Sequence, residues 1–132
     1  MDISELTAYA EEKYHIGEQF RRRTFSGGGE LRITELRNPY TGKPAAVLLR
    51  QWDGERGEEV QVCDLKCGHG ELRRFSEPWL TAPFRMQGAD WVGVRFVEAT
   101  RREEVFRLFD EAIKAGQAWG YTITLGSMLP SR

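Results

Sequence analysis

The chain has 132 residues, of which 40% are hydrophobic and 30% are charged. These are ordinary globular values, and the length suits a single domain over residues 1–132 with a sizeable buried core. The formal net charge of −1 excludes capture of nucleic acid or of an acidic membrane by overall charge. Any such contact has to rest on a local basic patch.

The N-terminal segment and the longest apolar run bear on where the protein resides in the cell. Residues 1–14 are polar and acidic, unlike a signal or transit peptide. Residues 45–49 form the longest uninterrupted apolar run, which is far too short to span a bilayer. We therefore expect a cytoplasmic protein without membrane contact, in which the two cysteines are reduced.

The first predicted element is an amphipathic helix over about residues 3–15. Apolar side chains recur there at spacings of three and four, which places them on one helix face. Asp2 and Glu5 have the spacing of a capping box, in which each side chain accepts from the other residue's amide. Gly17 is predicted to end the helix.

The segment after this helix is interpreted as a connection and is followed by a strand. Residues 18–29 are polar, rich in arginine and then rich in glycine, so we predict an irregular path with a flexible loop near 21–30. Alternating apolar residues over 31–36 predict a first strand. The sequence Asn-Pro-Tyr-Thr-Gly at 38–42 is a strong turn signal that ends this strand.

Two further strands are predicted to pair as a hairpin. Residues 45–53 are mostly apolar and indicate a buried strand, and 53–57 have turn chemistry. In the strand that follows, strict alternation places one set of side chains on each face. The two sets are Val60, Val62 and Asp64 on one face, and Gln61, Cys63 and Leu65 on the other.

The C-terminal third is predicted to contain a short helix, a strand and a long helix. Residues 71–75 make a turn or two of helix that Pro78 stops, and residues 91–96 alternate as a strand. Thr100 is predicted to begin the long helix, which carries a wide apolar stripe. Its end is predicted at Gly116 or Gly120, before a final strand or docked tail within residues 121–132.

This order of elements defines the expected architecture. Helices at both chain ends enclose a continuous run of mainly antiparallel strands. The predicted fold class is therefore α+β, a two-layer sandwich with the sheet backed by the N-terminal and C-terminal helices.

Several short motifs, in their order, resemble the MmcQ/YjbR family of small bacterial proteins. They are the buried strand at 46–50, the Asp-Leu-Lys-Cys strand end at 64–67, Pro-Phe-Arg-Met at 83–86, Trp91, and the helix at 104–113. Together the motifs span roughly residues 45–115. The resemblance implies a fold shared with frataxin-like proteins and a role in binding double-stranded DNA. This chain departs from the family at 87–90, where Gln-Gly-Ala-Asp replaces polar and basic residues.

Clusters of arginine provide the candidate contacts to nucleic acid. Guanidinium groups bind phosphates through paired N–H donors, whatever the base sequence. The alternative is that these side chains form solvated charged edges. The candidate residues are Arg21, Arg22, Arg23, Arg73, Arg74 and Arg85.

An aromatic corner provides a second candidate surface. Trp79, Phe84 and Met86 either line a groove for a protein or small ligand or belong to the core. We expect Trp91 to be in the core. We expect Trp79 to be exposed, because it follows Pro78 at a corner of the chain.

The cysteines and one histidine raise a third, minor alternative, a thiol or metal enzyme. Cys63, Cys67 and His69 are ligand types that suit zinc. However, residues four apart on a strand are separated by about 13 Å, and no fourth ligand is evident. Core cysteines are the preferred interpretation. We therefore expect no enzyme activity, no catalytic residue, no metal and no cofactor.

Overall fold

Six antiparallel strands form one sheet, and helices from both ends of the chain cover one of its faces. The computed structural model describes the backbone of residues 1–26 and 29–128 and the side chains of 1–25 and 29–116. The strand order is β1-β2-β3-β4-β6-β5. The elements are α1 Ile3–Tyr14, β1 Gln19–Ser26, β2 Gly29–Arg37, β3 Pro44–Asp53, β4 Glu58–Lys66, α2 Gly70–Arg73, β5 Leu80–Thr81, β6 Trp91–Arg95 and α3 Arg102–Met128. This arrangement confirms the predicted α+β sandwich.

The two faces of the sheet bury different sets of side chains. On the helix-covered face, Leu48, Cys63 and Val94 are cross-strand partners and join the main core with apolar residues of α1 and α3. On the other face, called the open face below, lies a smaller cluster that contains no helix residue among those described. Its buried members are Ile33, Val47, Leu49 and Trp91. The predicted alternation in β4 and β6 is therefore confirmed.

The first helix covers nearly the predicted range, but a different residue ends it. Asp2 accepts from the amide of Glu5, and the Glu5 side chain accepts from the amide of Asp2, so the capping box is confirmed. His15, not Gly17, ends the helix. Its backbone is left-handed, with φ of 59°, and its N–H donates to the carbonyl of Glu11. A left-handed residue is a common way to satisfy the last carbonyls of a helix.

The predicted irregular connection at 18–29, with its flexible loop near 21–30, is wrong. Residues 19–26 form strand β1, which pairs antiparallel with β2 as a hairpin; Gly27 and Gly28 lie outside the described residues. The strand lacks an apolar alternation because Phe20 and Phe25 are 69% and 75% exposed. Its stability comes from pairing with β2 instead of from burial, so a hydrophobic pattern does not reveal it.

The last helix differs from the prediction at both ends. The Thr100 hydroxyl donates to the carbonyl of Arg95 and accepts from the amide of Val97, so it closes a turn, and the helix begins at Arg102. The helix continues through Gly116 and Gly120 to Met128. A predicted strand or tail within 121–128 is therefore wrong, and residues 129–132 lie outside the described part.

Gly116 has a packing role that explains why it does not end α3. A Cβ atom at this position would lie 1.8 Å from the Asn38 Nδ2 atom. The same nitrogen donates to the α3 carbonyls of Ala112 and Ile113. The glycine thus allows the β2–β3 turn to approach the helix closely.

Candidate nucleic-acid interface on the open face of the sheet

Strand alternation separates the arginine triplet of β1. Arg22 pairs with Ile33, so its side chain lies on the open face, and Arg23 pairs with Arg32 on the opposite face. A bulge between Phe20 and Arg22 adds Arg21 to the open face, where it reaches Glu35. Two members of the triplet therefore share the open face. Arg23 instead pairs with Glu30, at 3.0 Å.

Glu35 is the centre of a buried ion pair network on the open face. The carboxylate is only 2% exposed and accepts from Arg21 at 2.7 Å and from Arg37. Burial alone would raise the pKa of Glu35, but the hydrogen bonds from the two arginines outweigh it and hold this pKa below its usual value. One buried negative charge thus holds two guanidinium groups, each roughly half exposed.

Asp64 anchors the segment that crosses the open face. Its buried carboxylate accepts from the backbone amides of Phe84, Arg85 and Met86 at 2.7, 2.8 and 2.8 Å. Gly93 allows this approach, because a Cβ there would lie 2.4 Å from the carbonyl oxygen of Ala82. Fixing residues 84–86 in this way presents Arg85 to solvent.

Lys66 and Arg95 complete the set of cations on this face. Lys66 lies over the Trp91 ring, with its Nζ 5.9 Å from the ring centroid. Arg95 lies over the Phe84 ring at 5.2 Å. Among the described residues, we define six open-face cations, which are Arg21, Arg22, Arg37, Lys66, Arg85 and Arg95.

The charge that this face presents to solvent is positive. Its two central carboxylates, Glu35 and Asp64, are buried. Exposed carboxylates lie at its ends, where Arg56 contacts both Asp53 and Glu58 at the β3–β4 turn. Asp90 immediately precedes β6. Among the side chains that the structure describes, the centre of the face therefore offers cations without exposed acids between them.

Arg73 and Arg74 make structural contacts with other parts of the fold. Arg73 forms an ion pair of 2.8 Å with Glu111 of α3. Arg74 donates to the carbonyl oxygens of Gly88 and Trp91 at 2.9 and 3.3 Å. These contacts connect α2 and the residue after it to their neighbours. Arg73, Arg74 and Arg23 are therefore not counted among the cations of the open face.

The predicted aromatic corner is not a groove of three exposed side chains. Trp79 is 1% exposed and belongs to the main core, which contradicts its predicted exposure, whereas Trp91 is buried as predicted. The Trp79 carbonyl accepts from the Arg95 amide, which draws the tryptophan against the edge of the sheet. Phe84 remains 38% exposed, and Met86 is half-buried against the open-face cluster.

Both cysteines are buried free thiols, as expected for core residues. Burial raises the pKa of Cys67 to about 11 and raises that of Cys63 well above its usual value. A thiol in such surroundings is a poor nucleophile at neutral pH. Within residues 1–26 and 29–128, no group of three or more histidine, cysteine or acidic side chains is arranged to hold a metal ion.

Sequence reasoning overlooked three of the open-face cations. Arg37, Lys66 and Arg95 have no neighbouring cation in the sequence, so a search for clusters of arginine does not find them. Strand alternation would have found them, since Lys66 follows Val62 and Asp64 at intervals of two and Arg95 follows Trp91 and Gly93 likewise. The informative signal was position on a strand face, not density along the chain.

Comparisons with known proteins support the fold. No protein-family model and no curated protein matches this chain. The chain is similar in structure to a protein from Pseudomonas syringae, known from a crystal structure, with a TM-score of 0.68 and 20% sequence identity. The likeness covers 88% of this chain and 99% of that one. At this identity the similarity shows the fold alone.

The described part of the chain contains no helix with both the length and the apolarity needed to cross a membrane.

Proposed function

We propose that this protein is a non-enzymatic DNA-binding domain of the MmcQ/YjbR type that binds duplex DNA weakly, with little sequence preference, through the open face. The observation that carries the proposal is the set of open-face cations around two buried carboxylates. The family resemblance adds to it. Two buried free thiols fit a reducing compartment, so a cytoplasmic location is part of the proposal.

The chemistry of the cations favours contacts to phosphates. Five of the six are arginines, whose planar guanidinium groups bind phosphate oxygens with two N–H donors. Arg22 and Arg85 are exposed, and neither forms an ion pair with another described residue. These two are therefore the most available for a phosphate.

The weak affinity for DNA and the low sequence preference both follow from a face that contacts DNA mainly through phosphates. Phosphate contacts position a protein on DNA but carry no sequence information. The Arg95 guanidinium covers the Phe84 ring, so this aromatic residue is already engaged. Affinity should then come mainly from release of counterions and fall steeply with salt.

A charge-reversal pair tests this proposal. We expect Arg22→Glu with Arg85→Glu to weaken binding of a fluorescein-labelled duplex by at least about tenfold at low salt. Removing two phosphate contacts should also lower the slope of log K against log salt by roughly 2. The measurement is fluorescence anisotropy over a salt series.

The matched control reverses two cations of α3, Arg107→Glu with Lys114→Glu. It changes the net charge equally but alters the helix layer, so its affinity should stay close to that of the unmodified protein. Absence of binding at low salt, or equal losses in both variants, would contradict binding through the open face.

A further inference from the structure

A cavity of about 390 Å³ lies between α3, the β2–β3 turn and the end of β4. This volume is in the range of sites that hold small ligands. The cavity exists because small residues line α3 at this point, and because Asn38 fastens the turn to the helix over Gly116. The α3 side is formed by Ala112, Ala115 and Gly116.

Polar and apolar groups are distributed unequally around this cavity. The charged residues of the lining are Lys43, Lys66 and Asp90. The rest of the lining is largely uncharged and includes Ala45 and the buried Cys67. Two lysines and one aspartate give the lining a net formal charge that is positive.

Neither lysine is neutralised by an ion pair with a described residue. Within the described residues, Lys43 and Lys66 form no ion pair, whereas most arginines of the chain do. Lys66 also lies near the Trp91 ring, with its Nζ 5.9 Å from the ring centroid. Two lysines that line one concave site, neither of them in an ion pair with a described carboxylate, favour an anion from solution.

We propose that this cavity binds a small organic anion, a carboxylate or phosphate that also carries a hydroxyl group. The acidic group of the ligand pairs with Lys43 and Lys66. Its hydroxyl donates to Asp90, and its short carbon chain lies against the alanines of α3. The site is separate from the proposed DNA contacts except that Lys66 belongs to both.

Because Lys66 belongs to both the anion site and the open-face cations, the anion site is tested at Lys43. Lys43 lines the cavity and is not an open-face cation, so Lys43→Gln tests the anion site without altering the DNA interface. Lys114→Gln removes the same charge from α3, one residue from the lining but outside it. This second variant controls for the general effect of losing a lysine.

The experiment titrates the ¹⁵N-labelled protein with lactate, glycerol 3-phosphate and uncharged glycerol, without DNA present. We expect saturable shifts of the Thr41, Gly68 and Ala115 amide signals with at least one acid, at a Kd of roughly 1–10 mM. Glycerol should cause none. A tighter Kd for lactate or for glycerol 3-phosphate identifies the acidic group that the site prefers.

The variants supply the decisive comparison. Lys43→Gln should raise the Kd at least about fivefold while its spectrum remains that of a folded protein, and Lys114→Gln should leave the Kd unchanged. Absence of saturable shifts with both acids, or an unchanged Kd in Lys43→Gln, would overturn the proposal. Because DNA is absent, this failure would be independent of any failure to bind DNA.

Discussion

At the scale of single residues, Asp64 is the side chain on which the open face most depends. Its sequence position, in a strand of alternating apolar residues, marks it only as a polar residue on one face. The structure places it under the segment 84–86, where its carboxylate accepts three backbone N–H groups. A buried carboxylate needs such donors to offset its desolvation.

We predict that Asp64→Asn lowers the free energy of unfolding by about 3 kcal/mol, because an amide group cannot accept all three bonds and its NH₂ faces other donors. Urea denaturation at neutral pH measures this loss. The control is Asp90→Asn, which removes an exposed carboxylate and should lower the free energy of unfolding by less than about 0.5 kcal/mol. Equal stabilities of Asp64→Asn and the unmodified protein would show that the three bonds do not anchor the segment.

At the scale of elements, a polar cluster joins the two main helices. Tyr9 and Tyr14 of α1 donate to Asp110 of α3, at 2.8 and 2.5 Å, and Lys13 contacts the same carboxylate at 3.1 Å. The Tyr9 ring also stacks on Phe106 with a centroid distance of 4.0 Å. This cluster holds α1 against α3 beside the apolar contacts of the core.

The cluster gives stability a predictable dependence on pH. Burial opposes ionisation of Asp110, but the hydrogen bonds from Tyr14, Tyr9 and Lys13 outweigh it and lower its pKa. A lowered pKa stabilises the fold above the unfolded value near 3.8, and this contribution is lost as the pH falls through the folded value.

We therefore expect Asp110→Asn to lower the free energy of unfolding by about 2 kcal/mol at pH 7 and by progressively less below pH ~4. Urea denaturation at several pH values compares it with the unmodified protein and with Glu12→Gln, an exposed control on α1. A difference between Asp110→Asn and the unmodified protein that stays constant with pH would contradict the assignment.

The elements also show where sequence patterns carry information. Helix α1, strands β2 and β4 and the alternation in β6 were predicted because burial on one face leaves a period in the sequence. Strand β3 was predicted from its apolar run, and the capping box from the spacing of Asp2 and Glu5. Strand β1 was missed because its exposed Phe20 and Phe25 leave no such period. The length of α3 was missed because Gly116 serves close packing and does not end the helix.

At the scale of the whole molecule, half of the predicted arginine set belongs to the candidate interface. Arg21, Arg22 and Arg85 lie on the open face, but no local pattern predicts that Arg23 turns away or that Arg73 and Arg74 contact other parts of the fold. The burial of Trp79 is likewise a tertiary effect, set by its contact with β6. Which cations remain free depends on partners distant in sequence.

The central claim is that DNA binds on the open face, and mapping the contact by NMR tests it most directly. Titration of the ¹⁵N-labelled protein with a short duplex at low salt should shift the amide signals of Arg22, Arg85 and Arg95. The signals of Glu11 and Glu103, in the helix layer, should not move. Shifts confined to α1 and α3, or no shifts at all, would contradict the account.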